Sequence, residues 1–97
     1  TPLYGACQEG HVDAARLALE KGAEVDRATK DGRTPLYVAC EKGHVDAAWM
    51  LLEKGAEVDR ADNNGWTPLS IAKARTSKDH SSIVALLEEH TCRRGGN

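Results

Sequence analysis

The chain has 97 residues, 29% of them charged, and a formal net charge of −2, which suits one small domain and lacks the basic excess of a nucleic-acid surface. No run approaches the roughly 18 apolar residues of a membrane helix, and the opening TPLYGACQEG has neither a basic start nor an apolar signal core. Three cysteines, an odd number without the spacing of a secreted disulfide framework, point to a reducing compartment, so the expectation is an intracellular chain, cytoplasmic or nuclear.

The sequence is written in a period of 33 residues: Thr1, Thr34 and Thr67 each open a unit with TPL, and LEKGAEVDRA stands identically at 19–28 and 52–61. The first two units differ at only ten positions. Such self-similarity predicts a stack of like units rather than a fold built around one site.

Within unit 2, Thr34 can cap a helix whose first position is Pro35, where a missing N–H costs nothing. Leu36, Ala39 and Cys40 then make one apolar stripe, and Gly43 supplies the left-handed residue that ends the helix. A second helix is predicted from Val45 to Gly55, with Ala47, Ala48, Met50, Leu51 and Leu52 inward. AEVDRADNNGW adds an extended piece and an Asn-Gly turn, predicting a projecting, hairpin-like finger. Helices this short are marginal alone, so stacking must hold them. The small residues Ala6, Ala14, Ala15, Ala39, Ala47 and Ala48 are expected to face inward, where they let helix pairs approach closely.

TPLY-x-AC-x-x-GHVDAA-x-x-x-LEKGAEVDRA closely resembles the ankyrin repeat, whose pattern is TPLH-x-AA-x-x-GH, a leucine-rich helix and GADVNA. Tyr4, Tyr37 and Ser70 stand where the family has histidine, and Asp26 and Asp59 where it has asparagine. The resemblance implies an all-α ankyrin solenoid of stacked helix-turn-helix pairs linked by hairpin-like fingers. One domain over 1–97 is expected, with units at 1–33 and 34–66, a third unit and C-terminal cap at 67–92, and a flexible tail at 93–97. In the third unit RTSKDHSS lengthens the inter-helix link, and Glu88 replaces Leu19 and Leu52, as a water-facing terminal unit requires. The first unit lacks a polar outer helix, which fits a fragment of a longer array.

Chemistry is sparse. Cys7 and Cys40 repeat one position, and stacked helix pairs about 10 Å apart leave them too distant for a disulfide, so buried free thiols are expected. His11 and His44 follow the helix-ending glycines; the resemblance implies a structural role, and the period keeps them too far apart to share a metal. His80, His90 and Cys92 near the diverged end are expected to be solvated. There is no phosphate loop or nucleophile elbow, and the carboxylates of LEKGAEVDR alternate with Lys and Arg. No enzyme activity, cofactor or metal is expected.

By resemblance, contacts are made from the concave face, by fingers and first helices. The positions expected to bind a protein partner are Gln8, Glu9, Glu41, Lys42 and Arg75 at helix ends, with Lys30, Asp31, Arg33, Asn63, Asn64 and Trp66 in the fingers. Trp66 beside Arg33 is the expected hot spot, and replacing both by alanine is expected to abolish capture without loss of fold. Neither nucleic acid nor membrane is an expected partner, and the chain is expected to be monomeric, with weak self-association through an outward-facing Trp49 or the uncapped N-terminal end. The alternative is a structural spacer, or a fragment of a longer solenoid, with no ligand of its own.

Overall fold

Thr34 and Thr67 start their units as caps. The Thr34 hydroxyl accepts the Tyr37 N–H at 3.1 Å. Thr67 accepts the Ser70 N–H at 3.0 Å while Ser70 Oγ accepts the Thr67 N–H at 2.8 Å, a reciprocal box that satisfies two otherwise orphaned donors. The computed structural model describes residues 2–95 except Asp59 and Thr76, with side chains over 3–89 and the same exceptions. The expected cap at Thr1 and the turn role of Asp59 lie outside the described residues.

Six helices follow in chain order: α1 Pro2–Glu9, α2 Val12–Glu20, α3 Pro35–Lys42, α4 Val45–Glu53, α5 Pro68–Ala74 and α6 Lys78–Gly95. They pair as α1/α2, α3/α4 and α5/α6, and successive pairs stack through α1/α3/α5 and α2/α4/α6. This is the helix-pair solenoid that the period implies, and no strand is formed among the described residues. The fingers close instead as hydrogen-bonded turns, Thr29 N–H to Arg33 O at 2.9 Å and Asp62 N–H to Trp66 O at 2.8 Å. α6 continues to Gly95, so residues 93–95, expected in a tail, are helical; residues 96–97 lie outside the description.

Comparing one position across the three units separates the two sides of each helix pair. Ala47 and Ile83 are fully buried, but their counterpart Ala14 is exposed. That corrects the inward placement of Ala14. Its side points toward the space before unit 1, and a position is inward only where a neighbour covers it. Val38 and Ile71 are buried by the same neighbour relation, and Met50 is 1% exposed where Leu17 is 53% exposed.

The other side reverses the pattern. Cys7 and Cys40 are buried, and the matching residue in unit 3 is the exposed Lys73; Leu52 is buried, and its match is the exposed Glu88. Lys73 Nζ and Glu88 Oε2 lie 3.3 Å apart, so the end of the stack is surfaced by an ion pair in place of a thiol and a leucine. The core between these ends runs through Leu3, Leu36, Ala39, Ala48, Leu51, Ile83 and Leu87.

Candidate functional site

The residues predicted to meet a partner fall in two rows. At the helix ends Gln8, Glu9, Lys42 and Arg75 are exposed and Glu41 is half-buried; in the fingers Lys30, Asp31, Asn63, Asn64 and Trp66 are exposed and Arg33 is half-buried. Contacts across units run along each row. Arg75 Nη2 lies 3.5 Å from Glu41 Oε2, the Asn63 amide donates to Lys30 O at 2.9 Å, and the Asn63 N–H donates to Asp31 O at 2.9 Å.

Between the rows lies a cluster that the sequence pattern does not single out. The Arg33 guanidinium sits 5.5 Å from the centroid of the Tyr37 ring, the aromatic one helical turn on. Its Nε is 3.8 Å from Asp62 Oδ2, an ion pair too long for a hydrogen bond, and neither atom has a hydrogen-bond partner among the described residues. Burial, then the Asp62 and Glu41 carboxylates, push the Tyr37 phenol above its usual range; burial is also the main reason that Tyr4 is raised. Arg33 is therefore engaged inside the protein, covering Tyr37 and facing Asp62. The only sequence clue is the i, i+4 spacing of Arg33 and Tyr37.

Asp62 also fixes its own finger. Its Oδ1 accepts the N–H groups of Asn64 and Trp66, both at 2.9 Å, an Asx-type turn that braces the backbone on either side of Gly65. Trp66, at the end of this braced turn, keeps 41% of its surface exposed. Trp49, on the second-helix side, is 50% exposed, as its helical position predicts.

The repeated histidines join units. His44 Nε2 is 3.0 Å from Gln8 O, and His80 Nε2 is 2.9 Å from Glu41 O, the same contact one unit on. Each ring packs on the helix-ending glycine of the preceding unit. A Cβ at Gly10 would lie 2.8 Å from His44 Nδ1, and one at Gly43 would lie 3.0 Å from His80 Cε1; both glycines are left-handed, at φ of 77° and 79°. His80 is thus a half-buried structural residue and not a solvated one. Ser77 holds it: its hydroxyl accepts the His80 N–H at 3.2 Å and pairs with Nδ1. With Nε2 donating to Glu41 O, Nδ1 is the acceptor and the Ser77 O–H the donor. The side chains of His90 and Cys92 lie outside the described residues.

Cys7 and Cys40 are buried free thiols. Burial pushes the Cys7 thiol up to about 12, and Cys40 higher still, the opposite of what a nucleophile needs. A shallow groove beside His44 is lined by Gly10, Gly43, Asp46 and Asp79. Among the described residues no group of three His, Cys, Asp or Glu is placed to hold a metal ion, and no helix is long and apolar enough to cross a membrane.

The surface thus presents a braced set of turns and helix ends, mounted on units that repeat. A comparison with curated proteins found no match. A comparison with protein families matched residues 1–62 to "Ankyrin repeats (3 copies)", whose members generally act as protein–protein interaction modules. That match spans all of unit 1 and most of unit 2, well over half the chain, and with the stacked helix pairs it makes this protein a member of the ankyrin-repeat family.

Proposed function

We propose that the chain is a non-catalytic interaction module that binds a protein partner through its concave face, the fingers and first-helix ends. The observation that supports this most is Trp66. A large aromatic at the end of a turn braced by two hydrogen bonds to Asp62, and still 41% exposed, has the surface and the pre-organisation of a binding hot spot. Gln8, Glu9, Lys30, Asp31, Lys42, Asn63, Asn64 and Arg75 add exposed polar groups along the fingers and first-helix ends; Arg33 and Glu41 contribute from partly buried positions.

The inward engagement of Arg33 decides the test. Replacing Arg33 and Trp66 together would perturb folding and binding at once, because Arg33→Ala leaves Asp62 buried without its cation. Trp66→Ala alone separates the two. Affinity capture from a lysate, with wild type and Trp66→Ala as baits, should recover a protein that the variant fails to retain, while the variant's unfolding free energy stays within about 0.5 kcal/mol of wild type. Equal recovery by both chains would refute the assignment of Trp66.

A further inference from the structure

Trp49, on the second-helix side of the stack, leaves 50% of its surface open to solvent. α4 sets it between two carboxylates. Asp46 stands three residues before Trp49 and Glu53 four after, within about 60° and about 40° of it around the helix, so the three make one exposed stripe. α4 holds no basic residue. Lys54, the nearest basic residue along the chain, comes five positions after Trp49, about 140° round the helix from it.

Unit 1 writes the same stripe differently. There Asp13 and Glu20 flank Arg16, a cation at the Trp49 position. Unit 2 keeps both carboxylates and puts an aromatic ring where the cation was. The side chains of Asp46 and Glu53 have no ion pair or hydrogen bond among the described residues, and no cation among them lies over the Trp49 ring. A second negative position adjoins the first. The groove beside His44 is lined by Asp46 together with Asp79 from the start of α6, and Asp79 too has no partner among the described residues. The face of an indole attracts cations, and carboxylates on either side of it deepen the attraction.

We infer that the outer face of α4, centred on Trp49, is a second docking surface, separate from the concave one, and that its occupant is a basic polypeptide segment of a partner. One Arg or Lys side chain of the segment lies over the Trp49 ring between Asp46 and Glu53. A second enters the groove between Asp46 and Asp79. The two positions share Asp46, so they suit two cations linked along one chain, which a single cationic headgroup does not bring. Because the carboxylates are exposed, salt screens them, and the contact weakens as ionic strength rises.

The test adds a hexa-arginine peptide at low salt to the 15N-labelled, 97-residue chain. The sequence has two tryptophans, so two indole N–H signals report the two faces separately. The Trp49 signal should shift and saturate while the Trp66 signal stays in place. Affinity is then read on variants by the anisotropy of a dye-labelled peptide. Trp49→Ala, which keeps every charge, should weaken binding about 2–5-fold. Asp46→Asn with Glu53→Gln should weaken it about 3–10-fold. Trp49→Arg, which reproduces the stripe of unit 1, should remove binding with the fold intact. Equal shifts of both indole signals, or a Trp49→Ala chain that binds as tightly as wild type, would overturn the inference by reducing the attraction to net charge. Choline that moves the Trp49 signal at the same concentration as the peptide would overturn it by making a lone cation the ligand. Dimerisation of the unliganded chain in sedimentation, abolished by Trp49→Ala, would overturn it by making a second copy the occupant. The concave reading is tested separately, through Trp66.

Discussion

Ala47 and Ala14 allow the stacking to be tested with local sequence held constant. Both stand in HVDAA at the same position of a second helix, yet Ala47 is 0% exposed and Ala14 is open to solvent. Replacing either by leucine adds the same three carbons and changes helix propensity by the same small amount. At Ala47 the added volume must displace the neighbouring unit, which costs about 1–3 kcal/mol by overpacking. For a chain of this size each kcal/mol is worth roughly 4–8 °C, so Ala47→Leu should lower Tm by about 5–20 °C. Ala14→Leu should stay within about 0.5 kcal/mol of wild type. Far-UV circular dichroism on the two variants reads both values. Equal destabilisation would refute the assignment of sides to the helix pairs, and with it the account of which surfaces the stack covers.

Two further predictions concern the contacts between and within units. His80→Ala removes the donor to Glu41 O and should cost about 1 kcal/mol in urea unfolding, whereas His11→Ala, at the equivalent position without an acceptor, should cost less than about 0.5 kcal/mol; equal losses would show that the clasp contributes nothing. The buried thiols predict an alkaline limit. Cys7 stays protonated in the folded chain up to about 12, against an ordinary thiol value of about 9 on unfolding. A raised folded value stabilises fully below the unfolded pKa and fades as pH rises through the folded one. Folding stability should therefore fall progressively between about pH 9 and pH 12, and a urea midpoint that holds steady across that window would contradict the burial of the thiol.

The local chemistry of helix starts and stops is legible in the sequence. Thr34 with Pro35, and Gly43 at a left-handed φ, do in the structure what their types dictate. The ends of the stack are only half legible. Lys73 and Glu88 announce a polar surface by changing type, but Ala14 is the same letter as Ala47, and nothing in a repeated word says whether a neighbour covers it. The second inter-unit histidine is hidden by register, since a strict 33-residue step from His44 lands on Ser77, and only folding shows that His80 makes the contact. Arg33 shows the limit in the candidate site. Variation between the units singles it out as a surface residue, whereas its stacking on Tyr37 and its approach to Asp62 depend on the finger folding back over the next helix.

His80 reaches Glu41 O although three extra residues precede it, and the segment that absorbs them leaves Arg75, Ser77, Lys78 and Asp79 in water. The joint between units is therefore set by where a ring meets a carbonyl and not by how much chain arrives there. Loop-closure entropy grows slowly with length, so this turn is the natural place to splice in foreign sequence, an epitope or a cleavage site, while the spacing of the units on either side stays as it is.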